Sequence, residues 1–132
     1  MATVNLTKDA FQDTVEKNGL VMVDWWAAWC GPCRAFGPVF DRVSEKHPDA
    51  VFAKVDTEAE QELAAAFGIR SIPTLMVFRD RVLLYAEPGA LPEEALEELI
   101  GKVKALDMED VHRRIAEREN AAKAESSQPE PA

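Results

Sequence analysis

From Leu20 to Ala27 the chain reads Leu-Val-Met-Val-Asp-Trp-Trp-Ala, an apolar run broken only by Asp24. A strand of this kind buries both faces, so it belongs in the middle of a sheet that helices cover on either side. The flanking segments fit that frame. Val4 to Leu6 is a short apolar start that suits an edge strand. Thr7 is placed to cap a helix carrying Phe11, Val15 and Asn18 at helical spacing, with Gly19 as its stop. From Arg34 to about Lys46, Phe36, Val39, Phe40 and Val43 share one helical face. Pro38 is expected to kink this helix without ending it, and Pro48-Asp49 breaks it.

Val51 to Asp56 reads as a second strand, and Glu58 to Phe67 as a short Ala- and Glu-rich helix closed by Gly68. Leu75 to Phe78 is another apolar strand. Arg79-Asp80-Arg81 turns tightly into Val82 to Ala86, which predicts an antiparallel hairpin ended by Pro88-Gly89. Pro92 suits the first turn of a helix whose Leu96, Leu99, Ile100 and Val103 face the core. The order β-α-β-α-β-α-β-β-α predicts an α/β fold with a central mixed sheet and helices on both faces.

The chemistry is concentrated in Trp29-Cys30-Gly31-Pro32-Cys33, which holds both cysteines of the 132-residue chain. Two thiols three positions apart at a helix start can meet within one turn. Free backbone N–H groups and the positive end of the helix dipole favour a thiolate there. A Cys30–Cys33 bridge closes too small a loop to restrict the unfolded chain much, so reactivity explains the pair better than stabilisation does. Asp24, six residues before the dithiol and inside an apolar strand, is a candidate proton acceptor for the second thiol, its pKa raised by burial. Lys54 is its candidate partner, although alternation with Ala53 and Val55 also lets Lys54 point to solvent.

A net charge of −9 argues against nucleic acid and anionic lipid as partners, since both require a basic footprint. The first ten residues lack a basic flank followed by an apolar core, and no apolar run approaches the roughly 20 residues a membrane span needs. A cytoplasmic protein is therefore expected. Beyond residue 106 the composition changes. Residues 107–119 read as a helical extension, with Asp107 and Asp110 as an N-cap pair and Val111 and Ile115 as its apolar anchors. This extension is either a solvated helix or a dimerisation or client-contact helix. Residues 120–132 are small, polar, acidic and proline-bearing, and are expected to form a disordered tail.

Across residues 2–106 the chain resembles the thioredoxin family. The resemblance is carried by Asp24, Trp26-Ala27, Trp29-Cys30-Gly31-Pro32-Cys33, Pro38, Lys54-Val55-Asp56, the run from Gly68 to Thr74, and Gly89-Ala90. It implies a thioredoxin domain over 1–106 and a protein-disulfide reductase working through a reversible Cys30–Cys33 disulfide. It implies roles as well: Cys30 the exposed nucleophile, Cys33 the buried resolving thiol, Asp24 the proton acceptor and Lys54 the residue tuning it. Pro73 would be a cis proline facing the dithiol. Ile72 would offer backbone hydrogen bonds to an extended client. Trp29, Gly31, Pro32, Thr74, Gly89 and Ala90 would complete a flat client surface. No bound cofactor or metal is implied. Electrons would come from NADPH through a flavin-dependent thioredoxin reductase, to a monomer that passes them to disulfide-bearing clients.

Three departures stand out. The turn at Arg79-Asp80-Arg81 lacks the family's usual glycine, Pro88 replaces a frequent β-branched residue beside the client surface, and Ala28 leaves the rim less charged. Rival readings are a disulfide oxidase or isomerase, a redox-independent binding module, and a zinc site. The oxidase would need an export signal and usually a histidine between the cysteines. A zinc site would need His47 and His112 brought to the dithiol.

Overall fold

In the computed structural model, which describes residues 2–126, strand β2 (Leu20–Trp26) occupies the centre of the sheet. Around it lie β1 (Thr3–Asn5), β3 (Val51–Asp56), β4 (Thr74–Arg79) and β5 (Val82–Pro88), in the spatial order β1-β3-β2-β4-β5. The pairs β1–β3 and β3–β2 are parallel, whereas β2–β4 and β4–β5 are antiparallel. The sheet is mixed, as the element order predicts.

Alternation along β2 sorts the core into two layers. Val21, Val23 and Trp25 pack with Phe11 and Val15 of α1 (Lys8–Lys17) and Leu63 of α3 (Gln61–Ala66). Leu20 and Met22 pack on the opposite face with Phe36, Phe40 and Val43 of α2 (Gly31–Lys46) and with Leu96, Ile100 and Val103 of α4 (Glu93–Ala105). Each fully buried side chain of this size contributes about 1.5–3 kcal/mol. Asp24 has the parity of Leu20 and Met22, which puts it on the face that α2 covers.

Several boundaries differ from expectation for local reasons. The third helix starts at Gln61 rather than Glu58, because Asp56 Oδ1 accepts the backbone N–H groups of Glu58 (2.9 Å) and Ala59 (3.4 Å) and holds that stretch as a turn. Pro92 sits at the N-cap of α4, just outside the helix. Arg79 pairs with Val82, so Asp80-Arg81 forms a two-residue turn with φ of 49° and 69°, and the missing glycine is replaced by two residues in left-handed conformation. Asp80 N–H donates to Gly19 O at 2.9 Å, which anchors this turn. A register shift between Val77 and Phe78 adds a bulge to the hairpin. Helix α2 continues through Pro38.

The largest difference lies at the C-terminus. Helix α5 runs from Met108 to Ser126, past the boundary expected at residue 119. Residues 120–126 are therefore helical rather than a disordered tail, and the remainder of that expectation, 127–132, lies outside the described residues. Asp107 Oδ1 caps the helix by accepting the N–H groups of Glu109 (3.1 Å) and Asp110 (3.3 Å). Asp110 is not a second cap: it pairs with Arg113 and Arg114 along the helix surface. Among the described residues no helix is long and apolar enough to cross a membrane.

Candidate active site

Strand β2 ends at Trp26, and the chain then turns through Ala27–Trp29 into α2, whose N-cap is Cys30. The cap is made by sulfur. Cys33 N–H donates to Cys30 Sγ at 3.2 Å, with Pro32 in the first turn where a missing N–H costs nothing. Cys30 and Cys33 form a disulfide with their Cα atoms 5.2 Å apart. The hydrogen bond separates the two sulfurs chemically: once the bond is reduced, the N–H and the helix dipole stabilise a thiolate on Cys30.

Exposure does not separate them. Cys30 is 4% exposed and Cys33 3%, so the expectation of an exposed Cys30 is corrected. The Ile72 carbonyl oxygen lies 3.7 Å from Cys30 Sγ, and the Ile72–Pro73 loop facing the dithiol covers it. The Ile72–Pro73 peptide is cis. Gly89 N–H donates to Pro73 O at 2.8 Å, and Thr74 pairs with Pro88, so Ile72 to Thr74 and Pro88 to Ala90 form one continuous rim. Gly89 takes φ of 114°, a conformation that favours glycine. Trp29 is 67% exposed, and its indole Nε1–H donates to Glu58 Oε1 at 2.7 Å, which holds the ring beside the dithiol. Gly31, Pro32, Gly89 and Ala90 are exposed around it.

Asp24 is 1% exposed, and its Oδ1 has no hydrogen-bond partner among the described residues. Burial pushes its carboxyl up to about 7, the nearby Lys54 charge pulls it down, and Asp41 pushes it up. Such a group can gain or lose a proton near neutrality. Lys54 is the Cα partner of Asp24 in the β2–β3 register, yet its ammonium lies 3.1 Å from Asp41 Oδ1. The expected Asp24–Lys54 pair is thus a three-residue cluster that includes a carboxylate from α2. Asp41 was missed, although one signal was available. It stands four residues after Gly37, and those two positions make a small gap ending in an acid on one face of the helix. His47 closes α2 far from the dithiol, and His112 is exposed on α5.

The Thioredoxin family model matches residues 2–102. A putative thioredoxin 2 of Streptomyces coelicolor is 54% identical over 121 residues, covering 92% of this chain and 90% of the relative. Only 106 residues precede the extension, so that alignment continues into α5. A Bacillus subtilis thioredoxin is 38% identical over 103 residues, 77% of this chain and 98% of its own length. A mutant thioredoxin from Halobacterium salinarum superposes with a TM-score of 0.72 at 34% identity, covering 80% of this chain and 92% of that one.

Proposed function

The chain belongs to the thioredoxin family and is a thiol–disulfide oxidoreductase acting on protein disulfides, and from that premise we propose how its residues divide the reaction. Cys30 attacks a client disulfide as a thiolate, forming a mixed disulfide and releasing one client sulfur. Asp24 takes the proton of Cys33. The Cys33 thiolate then attacks the Cys30 sulfur, the Cys30–Cys33 bond forms, and the second client sulfur leaves with the electron pair. Two electrons pass from the dithiol to the client. The observation that carries this order is the N–H of Cys33 aimed at Cys30 Sγ, which favours negative charge on Cys30 and leaves Cys33 to be deprotonated later.

Client binding is assigned to the rim. Ile72 presents backbone beside the dithiol, Pro73, Thr74, Gly89 and Ala90 continue that edge, and Trp29, Gly31 and Pro32 provide an apolar floor with little charge. A surface of this kind accepts an extended segment through main-chain hydrogen bonds without demanding one side-chain sequence. The Gly31-Pro32 pair puts no polar side chain next to the sulfurs, which supports a reductant over an oxidant. A reductant fits a cytoplasmic redox poise, with NADPH and a flavin-dependent thioredoxin reductase as the electron source and a monomer as the working unit.

Insulin-disulfide reduction tests this reading. With NADPH and thioredoxin reductase present, the folded protein is expected to precipitate the insulin B chain well above the blank rate. A blank rate from correctly folded protein would overturn it. In the Cys33→Ser variant, Cys30 is expected to retain clients as mixed disulfides that a reductant releases. Retention through Cys33 in Cys30→Ser instead would reverse the order of the two sulfurs.

A further inference from the structure

The buried acid next to the dithiol has a cation beside it, and that cation is engaged elsewhere. Lys54 and Asp24 are register partners on adjacent strands. The Lys54 ammonium nevertheless lies 3.1 Å from Asp41 Oδ1 on α2, an ion pair without hydrogen-bond alignment, and neither Asp41 Oδ1 nor Asp24 Oδ1 has a hydrogen-bond partner among the described residues. Gly37 lies beside this ion pair. A Cβ at Gly37 would stand 3.7 Å from Lys54 Nζ, so the ammonium lies against the bare backbone of α2, one turn before Asp41. Lys54 and Asp41 are both partly buried, which keeps their mutual attraction from being fully screened.

We propose that Asp41 is a positioning residue for the exchange reaction: it holds Lys54 on α2, away from a direct ion pair with Asp24, and so leaves Asp24 free to accept the Cys33 proton. This rests on the reading of Asp24 as the proton acceptor. A carboxylate locked to an ammonium is a weak base, whereas one left alone in a buried site takes a proton readily. Asp41 acts on Asp24 in two ways, by its own negative charge and by removing the positive one. The charged groups acting on Asp24 are Lys54 from β3 and Asp41 from α2. Its partner on β4 is Leu75, which carries no charge.

The two routes separate in a double-mutant cycle of Asp41→Asn and Lys54→Met. The Asp24 carboxyl is titrated by carbon NMR in each variant, with near-UV circular dichroism to establish folding. Asp41→Asn is expected to lower the Asp24 titration by about one unit or more. In the Lys54→Met background the same change should have less than half that effect, and Asp41→Glu should restore the original midpoint. The rate of mixed-disulfide resolution should follow, its acid limb moving to lower pH in Asp41→Asn. An unmoved Asp24, or equal shifts in both backgrounds, would overturn the role of Asp41 in holding Lys54. Asp24→Asn tests the underlying reading separately. Loss of the acid limb supports Asp24 as the base; a persisting limb removes Asp24 from the reaction and Asp41 with it, whatever the titration shows.

Discussion

At its first turn α2 is capped by a sulfur, and the face of the sheet it covers carries a buried carboxyl whose Oδ1 has no hydrogen-bond partner among the described residues; at its C-terminal end it is tied down by charged side chains. Arg42 and Lys46 both reach Glu93, at 2.9 and 3.4 Å, and hold that carboxyl below its usual range, Arg42 foremost. His47 Nε2 faces Glu97 at 3.0 Å, and Lys104 donates to His47 Nδ1 at 2.9 Å, so both ring nitrogens are used. Lys104 also reaches Asp49 Oδ2 at 2.9 Å. One helix thus ends in satisfied polar groups that fasten it to α4, and begins in groups left ready to react. Reactivity is placed where local satisfaction has been withheld, and the opposite end supplies the rigidity that tolerates it.

The comparison breaks most sharply at the cysteines. Cys30→Ser should abolish insulin reduction, a loss of at least roughly 1000-fold, while near-UV circular dichroism stays native. Appreciable remaining turnover would mean that the first turn is not the reactive end.

Next in size is the pH dependence set by Asp24. Its folded-state value, about 7, lies above its ordinary value of 3.8, so the native state binds the proton more tightly than the unfolded chain does. Stability contributed by the protonated group is present below about pH 4 and declines as the pH rises to about 7, by on the order of 4 kcal/mol, and is flat above that. Asp24→Asn should remove this slope, so urea melts of variant and wild type agree at pH 3.5 and diverge at pH 8 in favour of the variant. Parallel curves at both pH values would contradict the unsatisfied state of Asp24.

The satisfied end should answer more weakly and only in stability. His47→Ala should cost about 1–2 kcal/mol through lost hydrogen bonds and the stacking on Phe52, whose ring centroid lies 6.3 Å away, with insulin reduction unchanged. Smallest is Glu93→Gln, whose partners are exposed: a slight fall in Tm that high salt erases. A change in reduction rate in either variant would mean that the two ends of α2 are coupled.

Much of this was legible in the order of residues. The run from Leu20 to Trp26 announced a central strand, and a single acid inside it announced a buried carboxyl, because an isolated polar position in an apolar strand has no solvent to meet. The dithiol declared its own chemistry. Lys54 was only half legible: alternation gives the face of a side chain but not which of two acids it reaches, and Asp41 comes from a different element. The closeness of Cys30 and Cys33 in exposure was hidden for the same reason, since the covering loop at Ile72–Pro73 is remote in sequence. Locally encoded features that still escaped, such as the shortened α3, turned on one side chain, Asp56, competing with helix for two backbone N–H groups.

The sulfur cap has a thermodynamic consequence. A thiolate accepts the Cys33 N–H more strongly than a disulfide sulfur does, so reduction reinforces the very turn that begins α2. The redox couple and the helix–coil equilibrium of that turn are therefore linked, and each must shift the other by the same free energy. Every 1.4 kcal/mol by which the reduced cap outweighs the oxidised one raises the midpoint potential by about 30 mV. Substitutions around Gly31 and Pro32 that touch no sulfur then act as voltage adjustments, and hydrogen exchange in the first turn of α2 becomes a reading of the electrochemical state.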